Sequence, residues 1–268
     1  MSANINPFID VQLSIVGDTI TVQYKVDPQF NGRAPYKFEL IAYQDETFTE
    51  ALYSIKSDTY YAVDDSNSRQ NNLPSFLYKL KLITVDNNTY YSNFVGWHPT
   101  DHINQHKYLL ASDIGRRERV RFNYAGLYAY LLKRKSYTPA QTSDVDPVTG
   151  EPLLDNTATY GVGAADGYYN PVLTRLSIES RQTKTEFSED GRGSQYVELL
   201  SIRSVGFPFI DQHDIIVTAD NKRFIVADTN SKYFPGTTMI LLQTPVLRLI
   251  PSTDTVYSID LPNFPDER

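Results

Sequence analysis

Apolar and polar residues alternate with a period of two through much of this chain, and this pattern limits the folds that it can adopt. Successive side chains of a strand point to opposite faces, so each alternating segment predicts a strand with one face in a core. Turn residues separate the segments, as at Gly17–Asp18 and Asp86–Asn88. About six or seven short strands with such turns predict a β-sandwich over residues 1–98. The alternating segments of this region include residues 11–15, 20–24, 38–42 and 78–82.

The start of one of these strands has a more specific pattern. Residues 73–78 read Leu-Pro-Ser-Phe-Leu-Tyr, and a turn at Asp86 follows. This arrangement resembles the tyrosine corner of fibronectin type III domains, in which a core tyrosine bonds a backbone group upstream through its hydroxyl. The resemblance assigns that role to Tyr78, and the alternative is that Tyr78 is one more core aromatic. Such a domain would be a binding or spacing module, since the fold carries no chemistry by itself.

Residues 172–268 predict a second all-β unit, a small β-barrel or sandwich. An apolar run on each side of Asp220–Asn221 is typical of a hairpin. The largely apolar runs Met239–Leu242 and Val246–Ile250 predict two strands that are buried on both faces. After Pro251 the sequence keeps Val256 and Tyr257. We expect its final residues, which include Pro262, Pro265 and acidic side chains, to lie across a neighbour or to remain loose.

A more basic connector, residues 99–136, separates the two β regions. Within it, residues 108–119 predict a helix of about three turns. On this interpretation Tyr108, Leu109 and Ile114 face inward. The fold class is therefore mostly all-β, with an N-terminal Ig/fibronectin III-like sandwich, a short helical connector and the C-terminal β unit.

Three arginines would lie at the end of this helix, where cations suit the helix dipole. They are Arg116, Arg117 and Arg119. One interpretation is that they bind an acidic partner subunit or nearby phosphates; the other is that they form a solvated surface. If they bind a partner, bidentate pairing of arginine with carboxylate across a subunit interface is the contact that we expect.

A segment rich in glycine, proline and tyrosine, residues 137–171, predicts a long loop of specified shape. Glycines permit positive φ and close backbone approach, while prolines fix φ. Loops of this length in compact proteins are usually functional or disordered, and the tyrosines favour an ordered loop that docks onto something. The candidate interaction residues of this docking loop are Tyr160, Gly161, Gly163, Gly167, Tyr168 and Tyr169.

The order of these motifs resembles a family of tailed-bacteriophage virion proteins from the head–tail neck, described as neck or collar proteins. The resemblance covers residues 107–268. It implies a structural virion protein, assembled in the cytoplasm of the host bacterium, whose partners are a portal-adjacent connector or adaptor ring, tail components and further copies of itself in a ring. The matching segments are the Arg-rich run 116–119, a strand over 127–135, Asp-Pro-Val-Thr-Gly at 146–150, Tyr-Gly-Val-Gly at 160–163 and Gly-Tyr at 167–168.

This chain departs from the family pattern because it contains no cysteine. The family has two Cys-x-x-Cys pairs, a spacing that is typical of a zinc site. Oxygen and amide side chains are poor substitutes for thiolates, so we expect a metal-free loop. Calcium is the alternative, because Asp144 and Asp146 begin like a calcium loop, although Val148 and Thr149 do not continue it. The four cysteine positions fall on Gln141, Asp144, Asn156 and Thr159.

The histidines offer little chemistry. His98, His102 and His106 are spaced by four, which raises a metal site as an alternative, but we expect surface or capping roles. His213 lies in a cluster with Asp211 and Asp214 that predicts a polar turn. Because the sequence has no nucleophile elbow and no Gly-rich phosphate loop leading into a helix, we expect no enzyme activity and no cofactor.

The net charge and the hydropathy of the chain limit the classes of partner that it can bind. The net charge is −7, which argues against direct DNA contact. No apolar run reaches the length of a membrane span, and residues 1–4 do not begin a signal peptide, so we expect no membrane association. The predicted function is a structural neck or collar protein of a tailed phage. One alternative is a virion adhesin, or a tail or baseplate module, that binds a glycan or a receptor. The other is a bacterial cytoplasmic all-β protein.

Overall fold

A computed structural model gives the fold of most of the chain. It is mostly β, as predicted, with one α-helix among the described residues. The chain forms two compact units, Met1–Arg117 with Ser136–Pro139 and Tyr233–Leu241, and Glu118–Lys135 with Ala140–Lys232 and Leu242–Arg268. The structure describes residues 6–16, 19–27, 29–32, 35–43, 51–65, 77–93, 95–96, 105–135, 160, 167–187, 194–233 and 240–265.

The first unit contains two sheets that form the predicted sandwich. One has the strand order β1-β2-β5, and the other has the order β4-β3-β6-β7, with β8 also paired to β6. The first strand of the unit pairs in parallel with the strand segment at Ile240, and the pairs among strands β1 to β8 are antiparallel. The burial of β3 and β6 alternates with a period of two, as the sequence indicates. The bounds are β1 Phe8–Val16, β2 Thr19–Val26, β3 Lys37–Tyr43, β4 Ala51–Ser57, β5 Tyr61–Asp64, β6 Leu77–Ile83, β7 Thr89–Tyr91 and β8 Val95–Gly96.

Aromatic rings fill the space between these two sheets. The ring of Tyr24 on β2 lies 4.7 Å from that of Phe38 on β3, and Phe8 on β1 lies 6.0 Å from Tyr24. Tyr78 on β6 is also buried here. Its hydroxyl donates to the carboxylate of Asp64 on β5, so this contact is to a side chain, whereas the tyrosine corner predicts a backbone group. Residues 73–76 of that motif lie outside the described residues.

The second unit is a closed six-stranded antiparallel barrel. The pairing runs β9-β12-β13-β16-β11-β10 and closes where β10 pairs with β9. Closure removes the free strand edges of an open sheet. Two further strands, β14 and β15, pair with each other, and β15 pairs with β11 through Leu242 and Gln243. The bounds are β9 Leu127–Leu132, β10 Val172–Phe187, β11 Ser194–Val205, β12 Ile215–Thr218, β13 Arg223–Asp228, β14 Ser231–Tyr233, β15 Ile240–Gln243 and β16 Val246–Leu249.

Strand β15 is buried on both faces, as are β9 and β12, but β16 is not. All four residues of β15 are buried, as predicted. In β16, however, Leu247 is buried and Arg248 is exposed, so this strand alternates and the prediction for it is wrong. Arg248 interrupts the apolar run, and its charged side chain lies at the exposed surface of the strand.

The barrel has two apolar clusters, one on each side of its wall. The inner cluster includes Ala129 and Leu131 of β9, while Tyr130 and Leu132 of the same strand belong to the outer one. The residues after Pro251 cover this outer cluster, although we expected the last of them to lie across a neighbour or remain loose. The ring of Phe264 lies 4.7 Å from that of Tyr130, whose hydroxyl donates to the backbone oxygen of Asn263. The final segment therefore packs on its own barrel.

The helix, α1, spans Gln105–Ala125 and is longer than predicted. No Gly or Pro occurs between Arg116 and Ala125, and Gly126 follows. Phe122 in the added turns is buried, so its burial supports them. Leu109, which we expected to face inward, is exposed, whereas Ile114 is half-buried.

Candidate interaction surface

Both ends of the docking loop are fastened at the end of β9. The backbone N–H of Lys135 donates to the oxygen of Gly167 at 3.0 Å, and the N–H of Tyr169 donates to the oxygen of Lys133 at 2.9 Å. Arg134 and Tyr168 form an antiparallel bridge between these bonds. Residues 133–135 and 167–169 therefore lie side by side, so the loop has a fixed base. These two segments belong to different predicted regions of the sequence, and only the fold brings them together.

The predicted tyrosines of the loop have different environments. Tyr168 is 9% exposed and belongs to the outer cluster of the barrel, where burial raises the pKa of its phenol. The half-buried ring of Tyr160 lies 6.4 Å from it. Tyr169 is also half-buried, and the ammonium of Lys135 lies 5.8 Å from its ring centroid. Tyr168 is therefore part of the base, while Tyr160 and Tyr169 keep accessible surface.

Gly167 has a specific conformational role at this base. Its φ is 54°, in the left-handed region that glycine adopts without strain. A side chain at this position would be strained where the backbone meets the end of β9. The glycine that the sequence singled out thus shapes the base of the loop.

A buried ion pair supports the same end of β9. The carboxylate of Asp214 accepts from Lys133 Nζ at 2.8 Å and from the backbone N–H groups of Arg134 at 3.0 Å and Asp211 at 2.8 Å. Burial raises the pKa of Asp214, and the Lys133 ammonium opposes that shift. The cluster of Asp211, His213 and Asp214 is therefore a turn, as predicted, with the added role of holding β9. Sequence reasoning placed Asp214 in this turn but missed its pairing with Lys133, because Lys133 is distant along the chain.

The three predicted arginines lie in the middle and C-terminal half of α1, not at its end. Arg116 and Arg117 pair with Asp113 one turn earlier, at 3.2 and 2.8 Å. Such exposed pairs contribute about 0.3–0.5 kcal/mol. Arg119 is exposed and has no ion pair among the described residues. All three side chains can therefore reach a partner.

The same helix is attached to the barrel on its other side. Phe122 is buried, and Glu118 accepts from Arg203 of β11 at 2.8 Å. Two apolar residues nearby are nevertheless exposed, Val120 at 49% and Tyr124 at 89%. Sequence reasoning missed both, although their spacing of four residues places them on one side of a helix.

Several predicted positions lie outside the described residues. They are Asp146–Gly150, Gly161, Gly163, His98 and His102, together with the four cysteine positions Gln141, Asp144, Asn156 and Thr159. His106 lies within α1. In the parts of the chain that the structure describes, no three His, Asp or Glu side chains are grouped so that they could hold a metal ion. Among these same residues no helix is long and apolar enough to span a membrane.

No protein-family model matches this chain, and no curated protein matches it.

Proposed function

We propose that this protein is a structural component of a tailed-phage virion, located at the neck or collar between head and tail. The order of its motifs, from the arginine run 116–119 to Gly167 and Tyr168, carries this proposal. The role is mechanical rather than catalytic. Repeated subunit contacts around an axis would reinforce the junction through which DNA passes, since modest interfaces add up when they act together.

The fixed base of the docking loop supports this role. A loop that binds neighbouring ring subunits gains affinity when its ends are already ordered, because less conformational entropy is lost on binding. Here the base is fixed by backbone bonds between β9 and Gly167–Tyr169 and by the Lys133–Asp214 pair. The residues between 135 and 167, which contain the family-like motifs, therefore start from a defined position on the barrel.

The partners that we propose are a portal-adjacent connector or adaptor ring, tail components and further copies of this chain. Arg116, Arg117 and Arg119 would pair with carboxylates of such subunits. The N-terminal sandwich would project outward or touch neighbours as a spacing module. A membrane partner and direct DNA contact are not part of the proposal.

Cryo-electron microscopy of the assembled particle tests this proposal. We expect density for the barrel and sandwich at the head–tail junction, repeated around the particle axis. Density at the tail tip, or binding of the purified chain to a glycan array together with a stable trimer, would favour the adhesin instead. A trimer is the expected state of a fibre protein, whereas a neck protein is expected to be monomeric alone or to form larger rings.

A loop variant makes the test specific. We expect Gly163→Val to leave the thermal unfolding of the isolated chain unchanged and to block its incorporation into particles. Gly167 is not suitable for this purpose, because its positive φ makes Gly167→Val a folding variant. Normal incorporation of Gly163→Val would contradict the docking role of the loop.

A further inference from the structure

One side of the C-terminal half of α1 exposes apolar side chains to solvent. We call Val120, Arg121 and Tyr124 the helix stripe. Val120 is 49% and Tyr124 is 89% exposed, and the Arg121 side chain is 56% exposed. Residues three and four apart share one side of a helix, so all three form a continuous surface. Tyrosine and arginine are the residue types that most often dominate binding energy at protein interfaces.

The position of the helix stripe is fixed by contacts on other sides of the helix. Phe122 is 2% exposed, and Glu118 pairs with Arg203 of the barrel. At the last turn, Arg175 of β10 donates to the backbone oxygen of Asn123 and to the hydroxyl of Tyr128. The helix therefore cannot rotate to bury Tyr124 without breaking these contacts. A surface held rigidly in advance loses little entropy when it binds.

The charge of the chain is divided unevenly around this surface. The helix, residues 105–125, contains five lysine and arginine residues and two acidic residues, a net charge of +3 on a chain whose total is −7. The remaining residues therefore carry −10. A second copy of the same chain offers acidic surface to the basic helix, and complementary charge of this kind sets orientation and speeds association.

We infer that the helix stripe binds an acidic surface on a second copy of this chain, with Tyr124 as the apolar anchor and Arg121 paired to a carboxylate. The contact joins two different surfaces, because a two-fold arrangement of the stripe against itself would bring like charges together. Contacts between two different surfaces generate rings when the rotation closes. The inference rests on the proposed function and names the partner of its arginine-rich segment.

A protein partner fits these residues better than a nucleic acid does. Burial of Val120 and Tyr124 against an apolar surface would be favourable, and a phosphate backbone offers no such surface. Glu118 and Asp113 also lie among the arginines and would repel phosphates. The strongly acidic remainder of the chain opposes a polyanion further.

Sedimentation velocity of the full chain over a concentration series tests the inference. We expect reversible self-association that weakens when the salt concentration rises from about 50 to about 500 mM, because charge pairs are screened. The double variant Arg121→Glu/Tyr124→Ala should weaken association by at least about tenfold. The matched control is Lys232→Glu/Tyr233→Ala, which changes an exposed cation and an exposed tyrosine elsewhere and should associate like the wild type.

Thermal unfolding checks that both double variants fold, and we expect wild-type melting temperatures because all four positions are exposed. Equal association of the wild type and the helix variant would overturn the inference, as would a wild-type chain that stays monomeric at every concentration. Binding of a DNA duplex that is lost in the helix variant, without self-association, would assign the surface to nucleic acid and also overturn it. Particle microscopy reports on the proposed neck location independently, so failure of this contact and failure of the neck function are distinguishable.

Discussion

The hydroxyl of Tyr78 donates a hydrogen bond of 2.6 Å to Oδ2 of Asp64, and this bond joins the two sheets of the N-terminal sandwich. The hydroxyl of Tyr53 donates to the same oxygen at 2.5 Å. Asp64 is fully buried, so its carboxylate depends on such donors. Burial and this bond raise the pKa of Tyr78, which keeps the phenol protonated as a donor.

Removal of this hydroxyl should destabilise the sandwich measurably. We expect Tyr78→Phe to lower the free energy of unfolding by about 2 kcal/mol, the usual contribution of a hydrogen bond to a charged group. Urea unfolding followed by circular dichroism measures this change. The control is Tyr90→Phe, because the hydroxyl of Tyr90 has no hydrogen bond among the described residues. Similar losses for the two variants would show that the bond to Asp64 is not the cause.

A cross-strand ion pair should give the stability of the sandwich a defined pH window. Lys81 Nζ lies 3.0 Å from Glu39 Oε2, directly opposite it on the neighbouring strand. The hydrogen bond to Lys81 lowers the pKa of Glu39 below its ordinary 4.5, and the bond to Glu39 raises the pKa of Lys81 above its ordinary 10.5. Because its pKa is lowered on folding, ionised Glu39 stabilises the folded state above pH 4.5. This stabilisation is lost as the pH falls through the lowered pKa of the folded state. Because its pKa is raised on folding, protonated Lys81 stabilises the folded state below pH 10.5. This stabilisation is lost as the pH rises through the raised pKa of the folded state.

Glu39→Gln should therefore lower stability only between these limits. We expect a loss of about 0.5 kcal/mol near neutral pH, because the pair is partly exposed. In acid below the lowered pKa of Glu39, the wild type and the variant should have nearly equal free energies of unfolding. Urea titrations at neutral and acidic pH measure this difference. A gap of the same size at both pH values would contradict the assignment.

The end of α1 should not accept any side chain at Gly126. A Cβ built there would lie 2.4 Å from the backbone oxygen of Phe122 and 3.2 Å from that of Leu176. Because backbone atoms cannot move aside as a flexible side chain can, we expect Gly126→Ala to cost about 1–3 kcal/mol. The melting temperature should fall clearly, while Asn123→Ala, an exposed change in the same helix, should leave it nearly unchanged.

The final segment should contribute to the stability of the barrel. Arg223 donates to the backbone oxygens of Val256 and Ile259, and Phe264 packs on Tyr130. We expect Phe264→Ala to lower the free energy of unfolding by about 1–2 kcal/mol, less than a fully buried phenylalanine would. Pro262→Ala is the control, since Pro262 is exposed. If the segment instead served only a neighbour, both variants would unfold at the wild-type urea concentration.

The strands themselves could be predicted because their information is local. The alternation at 38–42 and 78–82 reappears as the alternating burial of β3 and β6, and the turn at Asp220–Asn221 joins β12 to β13. The helix was predicted too short, although no glycine or proline stops it between Arg116 and Gly126. Whether the extra turns form depends on Phe122 finding a buried site, which periodicity cannot indicate.

The base of the candidate site could not be predicted in the same way. Sequence reasoning selected Gly167, Tyr168 and the basic connector 99–136, but it did not predict that Gly167 and Tyr168 pair with the end of this connector. It placed Asp214 in a polar turn but missed its burial against Lys133, because an aspartate in a turn has the same sequence pattern whether it is exposed or buried against a lysine. Val120 and Tyr124 were missed because the predicted helix ended at residue 119, before both of them, whereas the helix continues to Ala125.

What the sequence determined by itself was the mostly β class, the positions of most strands and turns, and the excess of positive charge near α1, since each depends on neighbouring residues. Tertiary structure alone decided that the barrel closes, that the final segment covers its outer cluster and that Tyr124 stays exposed. These outcomes depend on which distant surfaces meet, because burial is a property of the whole packed chain and not of any local stretch.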